Sequence, residues 1–190
     1  MLLREFLAML EIRTLSSFDE NEVTDILGQI EFIFFESSSL KSFSSPERKA
    51  AFYKRWCSDY QSFYPEEFFV AMEGPKVMGY LSGCSDSTRA LNEVSVPGFA
   101  VFHDLFQSYP AHLHINFHPE ARGKGLGSIL VKHYMNFLKL NNVMGLHLIT
   151  SPDAQNVSFY QRLGFNKTET REFNGMQLYF MGSVLIPELP

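Results

Sequence analysis

A chain of 190 residues, 45% hydrophobic and 19% charged, with 19 Phe and 8 Tyr, suits one packed domain and is too apolar for disorder. Its formal net charge of -5 argues against a nucleic-acid-coating protein, which would need a basic face, and is permissive for a cationic amine substrate. The two cysteines, Cys57 and Cys84, stand in unrelated contexts, which predicts reduced core thiols in a cytoplasmic protein rather than a disulfide.

Met1 to Leu10 is apolar, but Arg4, Glu5 and Glu11 interrupt it and no small-residue cleavage site follows, so it does not read as a signal peptide. No stretch approaches the ~20 apolar residues that cross a bilayer, and no membrane partner is expected. Glu11 to Leu15 alternates as a first strand. Ser16, Ser17 and Asp19 then offer caps for a helix over about Glu20 to Phe35, whose stripe is Val23, Ile26, Leu27, Ile30, Ile33 and Phe34. A serine-rich connection, Glu36 to Ser45, leads to Pro46 at the start of a second helix carrying Ala50, Phe52, Trp56 and Tyr60 and ending before Pro65.

Phe68 to Met72 and Lys76 to Cys84 are β-rich runs on either side of Glu73-Gly74-Pro75 and predict an antiparallel hairpin. Asp86 to Pro110 has no clear period and holds Pro97, Gly98, Phe99, Phe102, Phe106 and Tyr109. It reads as a long aromatic connection that either shapes a binding site or packs as a surface loop. Ala111 to His118 alternates as a fourth strand, with Ala111, Leu113, Ile115 and Phe117 on one face and His112, His114, Asn116 and His118 on the other. Leu126, Ile129, Leu130, Tyr134, Phe137 and Leu138 recur at three and four, giving a helix that ends near Asn141 and Asn142. Gly145 to Thr150 follows as a fifth strand. Ser151 and Pro152 read as the cap and first turn of a helix through Leu163, closed by Gly164. Phe165 to Glu172 and Met176 to Leu185 then flank the turn pair Asn174-Gly175. The order of elements, without repeat or linker, predicts one mixed α/β domain over residues 1–190.

Position makes the glycine cluster informative. His118-Pro119-Glu120-Ala121 leaves the fourth strand, and Arg122-Gly123-Lys124-Gly125-Leu126-Gly127 opens the next helix. The first turn of a helix has backbone N–H groups without partners and a partial positive charge. Glycines there let phosphate oxygens approach those donors, and Arg122 and Lys124 add formal charge beside them. A dinucleotide fingerprint wants glycine where Ser128 stands, and a nucleoside-triphosphate loop wants Ser or Thr after its lysine, where Gly125 stands; both are rejected.

Arg122, Gly125 and Gly127 match the acyl-CoA signature of the GNAT superfamily of N-acetyltransferases, Arg or Gln, two residues, Gly, one residue, then Gly or Ala. The element order and the run Phe159-Tyr160-Gln161-Arg162-Leu163-Gly164-Phe165 resemble that family too. Tyr109 to Ile115 is further similar to bacterial members related to the acetyltransferase-like domain of O-GlcNAc hydrolases. The resemblance implies a mostly antiparallel seven-stranded sheet with about four helices and strands four and five splayed apart. It implies acetyl-CoA as co-substrate. The amides of Arg122, Gly123, Lys124, Gly125, Leu126, Gly127 and Ser128 would bind its pyrophosphate, and the main chain of Ile115 to Phe117 its pantetheine arm. The family often places Asn seven residues before the tyrosine; this chain has Asp153 there and Asn156 one turn later as the substitute pantetheine contact.

The chemistry expected is direct transfer of an acetyl group from CoA to a primary amine, on a small molecule or a protein. At pH 7 a lysine-like amine of pKa ~10.4 is neutral about one time in 2,500, so the site must assist its deprotonation. The resemblance makes Tyr160 the acid that protonates the departing thiolate. His114, with His112 as an alternative, lies on the polar face of the fourth strand as candidate base, and Asn116 is placed to orient the acceptor. A His-x-His strand also suits zinc, but no cysteine or carboxylate completes a set with His118, and no metal is expected. The competing expectation is a non-catalytic domain that senses acyl-CoA. The apolar C-terminal strands and the aromatic connection offer surfaces for a homodimer.

Overall fold

A computed structural model describes residues 10–186, and the signal-peptide reading of Met1 to Leu10 falls almost entirely outside them. The described residues form two compact units. The first takes residues 10–82 together with His114–Val131, and the second takes Gly83–Leu113 with residues 132–186.

In the first unit, β1 (Leu10–Thr14) gives way to α1 (Glu20–Ser37), which starts where its donors are met. The Asp19 carboxylate accepts from the Asn21 and Glu22 amides while the Glu22 carboxylate accepts from the Asp19 amide. Ile26, Ile30, Ile33 and Phe34 form the buried stripe, with Val23 and Leu27 half-buried at its margin. Ser45 caps α2 (Pro46–Tyr53), accepting from the Arg48 amide at 3.3 Å. The helix then widens through a π turn, Lys54–Ser58, into α3 (Asp59–Phe63). That turn lies outside the 3.6-residue period by which the second helix was recognised; around it Cys57 and Tyr60 are fully buried while Ala50 stays exposed. β2 (Phe68–Glu73) and the first part of β3 (Lys76–Cys84) form the expected antiparallel hairpin, with Gly74 at φ +56° in its turn.

In the second unit, Asp86 to Pro110 departs from the reading as a long connection. It contains α4 (Ser87–Glu93), capped by Asp86, and a 3-10 segment, Phe99–Leu105. Its aromatics face inward: Phe99, Phe102 and Phe106 are buried, and Arg171 donates to the Val101 carbonyl and pairs with Asp104, holding that carboxyl at about 2. It is a packed segment, as the second of the two readings had it, because seven-residue helices are too short to display a period.

β4 (Ala111–Phe117) and α5 (Leu126–Leu140) each contribute residues to both units. β5 (Gly145–Thr150) lies where the pattern placed it. The helix expected from Ser151 is shorter: α6 covers Val157–Arg162 only, because the Ser151 carbonyl takes the Ala154 amide and the Ala154 carbonyl the Val157 amide, closing two turns instead of a helix. Gly164 at φ +91° ends it, with the Phe165 amide returning to the Tyr160 carbonyl. β6 (Lys167–Phe173) and β7 (Met176–Val184) pair antiparallel about Asn174-Gly175, both at positive φ as a two-residue hairpin turn demands.

The seven strands run in the order β1-β2-β3-β4-β5-β7-β6, with β4 and β5 parallel. Their ladder covers Ala111↔Leu146 and His112↔His147 and stops there, the splay that the family resemblance implies. Six α-helices accompany the sheet among the described residues, and no helix there is long and apolar enough to cross a membrane. Cys57 and Cys84 are buried and are not joined in a disulfide.

Candidate active site

Within the first unit, β4 leads through a 3-10 turn, Pro119–Ala121, to the glycine loop and α5. Gly123 and Gly125 adopt φ +75° and +81°, left-handed values that cost a residue with a Cβ, and a Cβ at either would meet nothing within 4 Å. The loop therefore faces open space, and its glycines answer to backbone conformation rather than to packing. The Ser128 and Ile129 amides both turn to the Gly125 carbonyl, at 3.1 and 3.4 Å. At the head of a 15-residue helix, Leu126 and Gly127 are left with amides that have no acceptor within the helix. Arg122 is partly diverted, its Nε donating to the Phe117 carbonyl at 3.2 Å and a terminal nitrogen to Ser37 Oγ at 3.3 Å, while Lys124 stands exposed. The loop thus presents main-chain donors, a helix terminus and cations in one short segment, a combination suited to a pyrophosphate.

The row of histidines resolves into three environments. His112, in the second unit, is 2% exposed, its Nδ1 lies 2.8 Å from Ser87 Oγ, and its ring packs on Phe99 with centroids 4.7 Å apart. It is a core histidine, which removes it as alternative base. His118 accepts the Glu120 amide at the turn after β4. His114 meets two aromatic walls, Trp56 at 5.7 Å and Tyr60 at 5.5 Å between centroids, both edge-on, with Nε2 3.4 Å from Tyr60 Oη. Burial pulls its pKa down to about 4, so it is neutral at pH 7. Among the described residues, no three His, Cys, Asp or Glu gather where a metal could be held.

Asn116 is tied inward. Its Nδ2 donates to Tyr80 Oη at 2.8 Å, and the Cys57 thiol approaches the same oxygen at 3.6 Å. Tyr80 stacks on Phe68 at 5.2 Å and is wholly buried, which raises its pKa well above that of an ordinary phenol; burial likewise pushes Cys57 up to about 12. These groups are neutral linkers that set the Asn116 amide. Ile115 and Phe117 are half-buried, and the Phe117 ring covers Gly79, where a Cβ would lie 2.3 Å from it. Trp56, Tyr60 and Tyr80 were not foreseen as site residues, because spacing on a helix or strand marks a stripe as buried without saying what it is buried against.

In the second unit, Tyr160 is 4% exposed on α6, edge-on to Phe159 at 4.9 Å and Phe165 at 5.4 Å. Burial alone raises its pKa above the phenol range, so its proton is in place at every physiological pH. Asn156, at the N-terminus of α6, is exposed and accepts from Thr150 Oγ1 at 3.4 Å, and Asp153 is exposed in the preceding turn.

The family model for the acetyltransferase (GNAT) family matches residues 32–165, and the chain belongs to that family. Solved structures of similar fold include SsHAT, with a TM-score of 0.69 and 20% identity over 94% of this chain and 99% of that one. Another is the ribosomal-protein-S18-alanine N-acetyltransferase of Escherichia coli, with a TM-score of 0.55 and 19% identity over 93% and 94%. A third is YncA of Salmonella typhimurium, solved with its cofactor acetyl-CoA, with a TM-score of 0.56 and 18% identity over 96% and 97%. At these identities the likeness establishes the fold, and the family match establishes an acetyltransferase of the GNAT type.

Proposed function

We propose that this protein transfers the acetyl group of acetyl-CoA to a primary amine by direct attack. The observation that carries it is the glycine loop: left-handed Gly123 and Gly125 facing open space at the head of α5, in a chain of the GNAT family. The segment Arg122 to Ser128 holds the pyrophosphate through the amides of Gly123, Gly125, Leu126 and Gly127, since those of Arg122, Lys124 and Ser128 already donate to the Pro119, Ala121 and Gly125 carbonyls. The main chain at Ile115 and Phe117 takes the pantetheine arm, with the Phe117 carbonyl shared with Arg122. Asn156 contributes a further polar contact on the pantetheine side. Two structures similar in fold to this chain favour the reading, one carrying acetyl-CoA and one named for acetylation of a protein alanine.

In the reaction the neutral amine attacks the thioester carbonyl, the tetrahedral intermediate collapses, and the C–S bond breaks as the amide forms. The amine loses one proton, by way of His114 to water, and the departing thiolate takes one back from water. Tyr160 donates a hydrogen bond to the departing sulfur. Its raised pKa keeps the phenol protonated but makes complete transfer to a thiolate of pKa ~8.5 uphill, so it stabilises charge more than it surrenders a proton. His114, neutral with a pKa of about 4, accepts the amine proton in passing and relays it to water rather than storing it. The acceptor is a small amine or a protein amino group, and the site residues work without a metal.

The test is release of free CoA thiol from acetyl-CoA across an amine panel, alongside calorimetric titration of acetyl-CoA. Acceptor-dependent thiol release supports catalysis. Binding with no release from any amine contradicts it and identifies a sensor of acyl-CoA, a reading that Asp153 in place of the usual Asn favours.

A further inference from the structure

We propose that the acceptor carries a carboxylate, which Arg48 and Arg55 hold in a cleft between α2 and the connection that precedes it. The inference rests on the acetyl-transfer reading for the identity of the ligand as acceptor, though the cleft itself is argued from its own residues.

Residues 38–58 hold five basic side chains and one acidic in a chain whose formal charge is -5, so the remainder carries a net -9 and positive charge is concentrated here. Three of the five cations are already engaged. Lys41 Nζ donates to the Phe35 and Glu36 carbonyls at 3.0 Å, Lys49 Nζ lies 4.3 Å above the Phe35 ring, and Lys54 pairs with Asp59. Arg48 and Arg55 form no side-chain hydrogen bond or ion pair among the described residues, and both line a single cleft of about 350 Å³. That volume lies within the usual range of small-molecule sites, about 300–1,000 Å³.

Arg48, Ala51 and Phe52 lie on α2 and Arg55 in the π turn that follows, and all four line the cleft, which brings both arginines to it with an apolar step between them. Leu40 and Phe43 supply the opposite wall, Ser42 and Ser44 add hydroxyls, and none of the lining residues is acidic. A planar carboxylate takes two parallel N–H donors from a guanidinium, and the apolar walls suit a hydrocarbon body behind it. Neighbouring Trp56, in the same π turn as Arg55, stands edge-on to His114 at 5.7 Å. The π turn thus carries Arg55 at the cleft and Trp56 beside the proposed base, and the proposal requires an acceptor whose amine and carboxylate are separated by several methylenes.

The experiment compares hexylamine, 6-aminohexanoate and hexane-1,6-diamine as acceptors, with wild type and the Arg48→Glu/Arg55→Glu double variant. Independently, hexanoate is titrated into both proteins and followed by amide chemical shifts. The expected result is a kcat/KM for 6-aminohexanoate at least about tenfold above that of hexylamine, with the diamine lowest and the order reversed in the double variant. Hexanoate should shift the amides of residues 40–55 in wild type and bind at least about tenfold more weakly to the variant. If all three amines are acetylated equally and hexanoate does not distinguish the proteins, the carboxylate site is overturned while acetyl transfer stands. If no amine is acetylated, the hexanoate titration still decides: binding lost in the variant supports the anion site and leaves the acetyl-transfer reading to fall alone, and binding retained in the variant, or absent from wild type, overturns the site.

Discussion

Replacing Gly125 with alanine separates a binding role for the loop from a structural one. At φ +81° the residue is left-handed, and its added Cβ would meet nothing within 4 Å, so the cost to folding is conformational alone. That cost is roughly 1–2 kcal/mol for an L-residue in this region, which for a chain of this size lowers Tm by about 2–8 °C. Gly175, in the β6–β7 turn, is a matched control, with φ +78° and equally open surroundings. Gly175→Ala should lose the same stability and leave acetyl-CoA affinity unchanged. Gly125→Ala should in addition weaken acetyl-CoA at least about tenfold, because the methyl group occupies space that a phosphate oxygen needs and the first-turn amides lose about one charge-assisted hydrogen bond. Thermal unfolding and calorimetric titration of the two variants provide the readout. Equal affinity for acetyl-CoA in Gly125→Ala and Gly175→Ala, with equal loss of stability, would refute the assignment of the loop.

Tyr160→Phe should lower kcat by about 100–1,000-fold with little change in the Kd for acetyl-CoA, as expected for loss of one preorganised donor; an unchanged kcat removes Tyr160 from the mechanism. Because its pKa is raised, wild-type activity should show no alkaline decline from this group below about pH 10. His114, with a folded pKa of about 4 against an ordinary 6.5, binds fewer protons folded than unfolded between those values. Stability it supports is therefore present above pH 6.5 and lost as pH falls toward 4, by at most about 3 kcal/mol. In denaturant titrations across that window, His114→Gln should flatten the dependence, and an unaltered slope would contradict the buried neutral imidazole. Gly79→Ala places a Cβ 2.3 Å from the Phe117 ring and 2.9 Å from the Asn116 carbonyl, and overpacking of this kind costs about 1–3 kcal/mol. Gly79→Ala with Phe117→Leu should recover part of that loss in urea unfolding.

The elements that were legible in the sequence are those whose signals are local. Asp19, Pro46 and Asn174-Gly175 each specify a cap, a first turn or a hairpin turn from adjacent residues, and all three stand where expected, with Glu22 and Ser45 completing the two helix starts. The glycine loop was legible for the same reason, since a strand pattern, three glycines and a helix pattern follow one another within Ala111 to Leu140. What was not legible depends on partners distant in sequence. Period two sorted His112, His114 and His118 onto one face but carried nothing about Ser87 and Phe99, which make His112 a core residue, nor about Trp56 and Tyr60, which wall His114. Ser151-Pro152 resembled a helix start, yet backbone turns won locally because a six-residue helix has little cooperative gain to offer. The π turn at Lys54–Ser58 follows no period that a helical pattern would show, and it is the turn that carries both Trp56 and Arg55.

If the loop from Arg122 to Ser128 holds the pyrophosphate of acetyl-CoA, its amides must respond to that group and not to the rest of the cofactor. The most direct measurement is an amide chemical-shift titration of the wild-type protein with acetyl-CoA and, separately, with pantetheine, which lacks the pyrophosphate. Saturable shifts, largest from Gly123 to Ser128, are expected with acetyl-CoA, and no comparable shifts there with pantetheine. Shifts of equal size in that segment with both ligands, or none with acetyl-CoA, would contradict that role of the loop.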